Sequence, residues 1–528
     1  MTESPDMTEQ RDAVTPIRPG DHDVWRVMPR RNTQKVSHLL AADLRRQILS
    51  GQLAANQQLP PEADLTARLH ISRDTLREAL RILESQQLVE IRRGRGGGAV
   101  VRRPGLEAVG RYVALLLQLR KTTLAHLEEV RSVIEPPAAE QAVIQAADDD
   151  LDRLVDLHHA VRATSDPLSF VTAMSAFDQA VTELSGNQTL AVIAGVFRDI
   201  YAGQVYSSIG SDDAVLAERI AWRVVISHSS FLDAARRRDA LLAQKTWSDY
   251  LFTTGRTLVS RNISRQPIDM APLWRARAGQ AGTESTPRRA LVVASEIRSR
   301  IAEGRLREGD RLSSLAELAD EFDISRPTLR EALRILEMEF LLDLRTGDRG
   351  GATIRTPSTR VAAQLAGIVL EARKATFADF LQAVQQIVPP IMGLVASRIA
   401  PKQLKALDKV NSELADSIKD TTRFVPTWEK GEMIAFSAVK NPALTVIAEI
   451  LHWVRVGVDP AVAADAKGLP WVSKTNRNAQ RLFSEFVSAA ANHEAIRATE
   501  AWAECLKVNA SWFEESGFGQ RLVLDLMG

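Results

Sequence analysis

The chain has 528 residues, of which 45% are hydrophobic and 25% are charged, the ordinary balance of a globular protein. Its net charge of +1 favours no particular partner, and its single cysteine, Cys505, excludes a disulfide framework or a multi-cysteine metal cluster. No apolar run approaches the roughly 18 residues of a membrane span, and the polar start MTESPDMTEQRD is unlike a secretion signal. We therefore expect a cytoplasmic protein of several domains that does not bind membranes.

The first elements along the chain predict a pair of short helices. Residues 1–32 are polar and without sustained periodicity, so we interpret them as a flexible tail. Residues 62–69 (EADLTARL) predict a short helix, the turn HIS follows, and apolar residues at helical spacing from Leu76 to Leu83 predict a second helix. Ser72 precedes that helix and can cap its N-terminus. Two short helices joined by a tight turn are typical of a helix-turn-helix.

A β-hairpin and a long helical region come next. The segments LVEI and AVVR alternate as strands around a basic, glycine-rich tip, which is typical of a wing. We therefore place a winged helix-turn-helix at 33–104. Residues 105–262 predict an all-helical domain, and residues 263–286, which include QAGTEST, predict a linker.

The same pattern then repeats. Residues 71–84 read ISRDTLREALRILE and residues 324–337 read ISRPTLREALRILE, so 13 of 14 positions are identical at an offset of 253. Because this period far exceeds that of a solenoid repeat, the chain is interpreted as two fused copies of one unit. The second copy places a winged helix-turn-helix at 287–357 and a helical domain at 358–528. The predicted fold class is mainly α, with two small β-wings and two all-helical bundles.

Arginines on the second helix of each pair indicate double-stranded DNA as the partner. A helix that presents Arg73 and Arg77 from its first turns can enter the major groove, where arginine binds guanine bidentately. Hydroxyls such as Ser72 and Thr75 can bond phosphates and position the helix. A solvated helix face would explain a lone arginine, but it does not explain arginines with a cap, a helix pair and a basic wing that all occur twice.

The run LPPEADLTARLHISRDTLREALRILESQQLVEIRRGRGG resembles the GntR family of bacterial regulators. The helical remainder resembles the FadR-type subfamily, whose sensor is the FCD domain, through LEEVRSVIEPPAAEQA and FDQAVTELSGN. The resemblance implies a metabolite-responsive repressor that acts as a dimer on short, near-palindromic operators. Ala63 and Ala316 stand where the family often has an arginine that contacts a base. Taken with the patterns, the resemblance predicts DNA contacts by Ser72, Arg73, Thr75, Arg77, Arg92, Arg93, Gly94 and Arg95, and by Ser325, Arg326, Thr328, Arg330, Arg345 and Gly347.

The two DNA-binding domains differ in charge. Residues 33–104 contain twelve Lys and Arg and seven Asp and Glu, a net charge of +5, whereas residues 286–357 contain thirteen of each. Because phosphate neutralisation supplies most non-specific affinity, we expect the first copy to dominate DNA binding. The sequence leaves open whether the halves pair within one chain, as a pseudo-dimer on a pseudo-palindromic operator, or across chains in a homodimer.

Many FCD domains hold a metal with one Asp and three His. Alignment puts those four positions at Met174, Asp178, His228 and Tyr250, and in the second copy at Trp428, Glu432, Phe483 and Cys505. Since two remaining ligands rarely hold a divalent cation, we expect no metal in either copy.

An effector would then use other groups of the first sensor. Arg131 matches an arginine typical of the first FCD helix and can meet an anion, although it can also simply pair with Glu135 one turn on. With Asp178, His228 and Tyr250 it forms the predicted effector site, for an organic acid or an acyl-CoA. In the second copy Val384 and Val388 replace Arg131 and Glu135, so we expect that copy to have lost its sensor chemistry and to act as a dimerisation scaffold. The adjacent His158 and His159 are expected on the surface.

Three functional classes compete. The patterns favour a ligand-responsive DNA-binding regulator without catalytic residues. The alternative is an architectural or interaction scaffold whose degenerate sensors bind no effector. An enzyme is disfavoured because the chain has no phosphate-binding loop, nucleophile elbow or zinc-hydrolase helix.

Overall fold

The residues that the structure describes form helices and two small hairpins, which confirms the predicted fold class. The computed structural model describes residues 36–85, 88–92, 98–102, 105–209, 214–259, 266–280, 288–345, 351–466, 472–508, 518–521 and 523. The predicted tail at 1–32 lies outside these residues. The described chain divides into two compact units, residues 1–105 and residues 106–528.

The first unit contains a helix-turn-helix and a hairpin. Its elements are α1 (Val36–Ser50), α2 (Glu62–Leu69), α3 (Arg73–Ser85), β1 (Val89–Arg92) and β2 (Gly98–Val101). The predicted apolar face of α3 is buried from Leu76 to Leu83, and it packs on α1. His70 adopts a left-handed conformation (φ 53°) at the C-terminus of α2, which turns the chain toward α3.

The hairpin confirms the two predicted strands of the first wing. β1 and β2 pair antiparallel, with Val89 opposite Val101 and Arg92 opposite Gly98. Leu88, Val89, Val100 and Val101 are buried, so neighbouring residues on both faces of the hairpin are covered and burial does not follow the predicted alternation.

The second unit begins with the first helical domain. It consists of α4 (Leu106–Leu119), α5 (Leu124–Gln145), α6 (Asp148–Arg162), α7 (Pro167–Glu183), α8 (Gln188–Ile209), α9 (Ala214–Arg236) and α10 (Ala240–Val259). The segment predicted as a linker is not an extended connector, because it contains α11 (Ala271–Gln280), whose Leu273 and Trp274 are buried. Sequence periodicity missed α11 because its ten residues are too few to show a clear apolar face.

The second copy repeats the first, element by element. Its winged helix-turn-helix contains α12 (Arg288–Ala302), α13 (Leu315–Glu321), α14 (Arg326–Met338), β3 (Leu342–Arg345) and β4 (Gly351–Ile354). Its helical domain contains α15 (Thr359–Ala372), α16 (Phe377–Arg398), α17 (Pro401–Asp416), α18 (Thr421–Ser437), α19 (Pro442–Ala466), α20 (Val472–Ala491) and α21 (Ala495–Lys507). α15 to α21 therefore correspond in order to α4 to α10.

The two helical domains pack against each other within one chain. α4 lies on α15, α8 contacts α16, and in the reciprocal position α19 contacts α5. The amide of Asn187 donates to the carbonyl of Asp379 (2.9 Å) and to Gln382 (3.1 Å). At the equivalent places, Asn441 donates to the carbonyl of His126 (3.0 Å) and to Glu129 (2.8 Å). Contacts that recur with the partners exchanged are the signature of a two-fold interface, here formed by the two halves of one chain.

Each of these asparagines also caps a helix. The Asn187 side-chain oxygen accepts from the N–H of Leu190 (2.8 Å) at the start of α8. The oxygen of Asn441 accepts from the N–H groups of Ala443 (2.9 Å) and Leu444 (3.2 Å) at the start of α19. One buried amide thus starts a helix of its own domain with its oxygen and binds the other domain with its nitrogen.

One helix is apolar enough to resemble a membrane span. Among the described residues, only α16 has the necessary length and composition, and 61% of its apolar window is buried inside the protein. A buried helix of this kind is typical of a protein core.

We expect Asn187→Ala combined with Asn441→Ala to lower the free energy of unfolding. Each substitution removes a helix cap and the hydrogen bonds to the other domain, a loss of about 1–3 kcal/mol per site. Urea unfolding measures the change, and the exposed Asn492→Ala is the matched control. Equal stability of the double variant and the control would contradict a structural role for the reciprocal amides.

Candidate functional site

The predicted DNA-contacting helices are α3 and α14, and both present their arginines to solvent. Arg73 and Arg77 are exposed on α3, and Arg326 and Arg330 are exposed on α14. The opposite faces are buried, so each helix is fixed while its arginines stay accessible.

Both helices begin with the same hydroxyl pair. The Ser72 hydroxyl accepts from the N–H of Thr75 (3.1 Å) and lies 2.8 Å from the Thr75 hydroxyl. Ser325 caps α14 in the same way, through the N–H of Thr328 (3.3 Å), with the two hydroxyls 2.8 Å apart. Pro327 lies in the first turn of α14, where a missing N–H costs little.

One arginine of α3 is held by the preceding helix. Glu62 at the start of α2 accepts from Nε of Arg77 (3.1 Å) and lies 3.1 Å from Nη2 of the same arginine. This contact narrows the directions that the Arg77 guanidinium samples. The second copy has Leu315 at the position of Glu62, so Arg330 is not oriented by a carboxylate there.

The predicted wing contacts cannot be placed. Arg93, Gly94, Arg95 and Gly347 lie outside the described residues, as do the side chains of Arg92 and Arg345. Their role in DNA binding stays a prediction.

The four residues of the predicted effector site meet in the core of the first helical domain. Asp178 of α7 is fully buried at their centre. Its carboxylate accepts from Nη2 of Arg131 (3.1 Å), lies 3.2 Å from Nε2 of His228, and accepts from the Tyr250 hydroxyl (3.1 Å). Each side chain comes from a different helix, α5, α7, α9 and α10, so their convergence is a property of the bundle.

Arg131 pairs with Glu135, one of the two alternatives that the sequence left open, as well as with Asp178. Besides Asp178, it donates to both oxygens of Glu135, from Nε (2.6 Å) and from Nη2 (2.9 Å). The indole N–H of Trp247 donates to Glu135 as well (3.0 Å). The ring of Tyr201 lies 4.2 Å from Cζ of Arg131, which adds a cation–π contact.

These contacts hold the site charged although it is buried. Burial alone would raise the pKa of Asp178, but the hydrogen bond from His228 and the charges of His228, Arg131 and Arg198 outweigh it and keep that pKa below its ordinary value. Burial alone would lower the pKa of Arg131, but Glu135 and Asp178 raise it above the ordinary value. Burial, with the charge of Asp178, raises the pKa of Tyr250, so its hydroxyl stays protonated and donates.

Sequence reasoning missed two side chains of α8 at this site. Arg198 is buried and lowers the pKa of Asp178 by its charge, and Tyr201 stacks on Arg131. The available signal was a lone arginine in the apolar run LAVIAGVFRDIY, since a charged residue on an otherwise apolar helix needs a buried partner. Within the described chain, the Tyr201 hydroxyl and Nδ1 of His228 have no hydrogen-bond partner.

The prediction that both adjacent histidines lie on the surface is wrong for one of them. His158 is buried and not on the surface, whereas His159 is exposed. Nε2 of His158 lies 3.2 Å from the Ser229 hydroxyl, and its ring is 6.1 Å from that of His228. Burial, and then the nearby His228 and Arg162, lower the pKa of His158 from 6.5 to about 4.

The site does not fit a divalent cation. Arg131 occupies the side of Asp178 where a cation would bind, and Met174 replaces a carboxylate ligand with a thioether. Among the residues that the structure describes, no group of three or more His, Cys, Asp and Glu is arranged to hold a metal. That both copies lack a metal stays a prediction.

The second helical domain keeps a buried charged cluster, although Val384 and Val388 remove the pair formed by Arg131 and Glu135; that this domain has lost its sensor chemistry stays a prediction. Glu432, at the position of Asp178, is buried and lies 3.1 Å from Nδ1 of His452. It also accepts from Arg455, and both basic residues belong to α19. Burial alone would raise the pKa of Glu432, but Arg455 and His452 lower it. The valines at 384 and 388 were misleading because the basic partners of Glu432 lie on α19 and not on α16.

Two family models and several known proteins match parts of this chain. The model described as "Bacterial regulatory proteins, gntR family" matches residues 37–98 and 289–351, and the FCD domain matches residues 126–252. An uncharacterised HTH-type transcriptional regulator of Mycobacterium tuberculosis is 28% identical over 34% of this chain and 75% of its own length.

Two further relatives were found. The HTH-type transcriptional repressor NanR of Cronobacter sakazakii is 27% identical over 44% of this chain and 90% of its own. The solved structure of Streptococcus agalactiae GntR covers 42% of this chain and 99% of its own, with 20% identity and a TM-score of 0.34.

We expect the folded protein to lose stability through His158 as the pH falls from about 6.5 to about 4. In that range the unfolded chain binds a proton at this imidazole and the folded chain does not, so stability rises with pH. His158→Gln should flatten this part of the curve of unfolding free energy against pH. His159→Gln, at the exposed neighbour, should alter this part of the curve much less, because His159 is only a minor cause of the lowered pKa of His158. An unaltered slope in His158→Gln would show that His158 does not cause it.

Proposed function

Since the chain belongs to the GntR family of bacterial regulators, we propose that it is a metabolite-responsive repressor that acts as a one-chain pseudo-dimer on a pseudo-palindromic operator. The observation that carries this proposal is the reciprocal packing of two sensor domains in a chain that also has two capped, arginine-bearing recognition helices. A near-palindrome needs two reading heads related by two-fold symmetry, which other family members obtain from two chains.

The first DNA-binding domain supplies most of the affinity in this proposal. Its net charge of +5 exceeds the zero of the second domain. The contact between Glu62 and Arg77 also reduces the freedom that Arg77 loses on binding a base. Unequal domains on one chain favour an operator whose half-sites differ.

A small organic acid is the effector class that the first sensor suits best. A carboxylate that reaches Arg131 would compete with Asp178 and Glu135, because these two occupy the donors of the guanidinium. The Tyr201 hydroxyl and Nδ1 of His228 offer further bonding groups. An acyl-CoA is the alternative, and a ligand screen distinguishes the two.

The relatives are transcriptional regulators, which are not enzymes, and we propose no catalytic role for this chain. We place its action in the bacterial cytoplasm, where operator DNA is found. A second chain that adds a homodimer contact, or a scaffold without an effector, are the competing proposals.

We expect Arg73→Ala with Arg77→Ala to weaken operator binding more than Arg326→Ala with Arg330→Ala. Each lost bidentate base contact costs about 1–3 kcal/mol, and the first domain also supplies the basic surface. Fluorescence anisotropy on an operator identified by genomic footprinting measures both affinities at one salt concentration. Equal losses in the two double variants would contradict the proposed inequality.

We expect Arg131→Gln to abolish the response to the effector. A thermal-shift screen of small organic acids and acyl-CoAs should find a compound that stabilises the wild-type chain, by about 2.7 kcal/mol when its concentration is one hundred times Kd. Arg398→Gln, which removes an arginine that contacts Glu129 outside this site, is the matched control and should keep the response. Since loss of a buried partner can unfold the domain, Tyr250→Phe provides a milder variant. Stabilisation that persists in Arg131→Gln would place the effector elsewhere.

A further inference from the structure

A continuous set of contacts leads from the first sensor site to the second DNA-binding domain. It begins on α8, where the buried Arg198 donates to Gln179 and to Thr182 (3.4 Å) on α7, the helix that carries Asp178. The next residue, Asp199, contacts α11. Asp199 accepts from Nη2 of Arg277 (2.8 Å) and from Nη1 (3.3 Å). One turn further along α8, the Gln204 amide bonds both the carbonyl (3.1 Å) and the N–H (3.2 Å) of Asp269. α11 is therefore fixed to the helix that lines the site.

α11 in turn contacts α12 of the second DNA-binding domain. Cζ of Arg298 lies 5.4 Å from the ring centre of the buried Trp274. Arg298 donates to both oxygens of Glu339, from Nε (3.0 Å) and from Nη2 (2.9 and 2.7 Å). Glu339 is the residue that ends the recognition helix α14. The side chains of Arg298 and Glu339 are both nearly buried, so their two-point contact fixes the C-terminal end of α14.

The first helical domain also contacts Glu339 directly, through α4. Nε of Arg111 on α4 donates to Glu339 (3.3 Å). The next residue, Tyr112, packs edge-on against Phe340, with ring centres 6.5 Å apart, and its hydroxyl accepts from the N–H of Ser358 (3.1 Å). Two elements of the first sensor region, α4 and α11, thus converge on the residues that follow α14.

The residues that form these contacts are not shared by the two copies. The positions equivalent to Glu339, Arg111 and Tyr112 are Gln86, Gln364 and Leu365. None of these can supply the charge or the phenol that the contacts use. The arrangement is therefore specific to one half of the chain, although the recognition helices are nearly identical.

We infer that the first sensor domain regulates the second DNA-binding domain, by holding the C-terminal end of α14 through Arg298 and Glu339. The inference rests on the proposed effector site at Asp178. A ligand that displaces Asp178 from Arg131 shifts α7, whose Gln179 and Thr182 bind Arg198, and α8 carries the change to α11 and α12. By linkage, DNA bound to α14 changes the affinity of the first sensor for its effector by the same factor.

Hydrogen exchange on the full chain tests the connection without a known effector. Tyr250→Phe removes one hydrogen bond to Asp178 and keeps the ring, and Asp178→Asn is the stronger variant. Either should speed amide exchange in residues 326–338 by about fivefold or more, the lower end of typical allosteric coupling. Residues 73–85 report on the other recognition helix and should change less. Arg238→Gln removes an ion pair with Asp148 in the same domain (2.6 Å) without touching α8, and it should leave residues 326–338 unchanged.

A double-mutant cycle tests the terminal contact. If Glu339 ends the connection, Glu339→Gln speeds exchange in residues 326–338 and Tyr250→Phe adds nothing further in that background. Additive effects of the two substitutions, or an unchanged α14 in both site variants, would overturn the inference. Its failure is separable from that of the proposed function, because an acid can stabilise the chain through Arg131 while α14 stays unaffected. Conversely, if the site variants speed exchange in residues 326–338 but no organic acid binds the chain, the inference holds and the proposed effector class is wrong.

Discussion

The packing of one sensor domain on the other is the constraint on which the second unit of this protein depends. Asn187 and Asn441 each divide their polar atoms between a helix start in one domain and acceptors of the other domain. One buried amide therefore supports both its own bundle and the interface, which couples the two energetically. The pairing also brings α4 beside α15, and with it the residues that reach the second DNA-binding domain.

The two helical domains compensate their buried charges with different residues. In the first, Arg131 and Arg198 face Asp178 and Glu135, with aromatic side chains around them. In the second, one carboxylate, Glu432, remains with His452 and Arg455. Removing one partner of such a buried pair would leave an uncompensated charge. The second helical domain thus has a polar core of different composition from that of the first.

Duplication within one chain permits a division of labour that a homodimer cannot have. Two identical chains must have the same DNA affinity and the same sensor. In this chain, the excess of positive charge and the Glu62–Arg77 contact belong to the first copy, and the cluster at Glu339 belongs to the second. Nearly identical recognition helices with unequal surroundings favour related half-sites that are bound with different strength.

Sequence by itself determined the elements and their repetition. The strands, the helix pair and the caps at Ser72 and Ser325 depend on local spacing and on hydrogen bonds between near neighbours, so they could be read directly. Asp178, His228 and Tyr250 were identified through resemblance, since their separations of 50 and 22 residues carry no local signal. Only the tertiary structure decided that α11 packs on its neighbours and that Arg198 and His158 are buried in the first helical domain. It also decided that the basic partners of Glu432 lie on α19. Those facts depend on which helix faces meet, and that is set by packing across the whole bundle and not by any stretch of the chain.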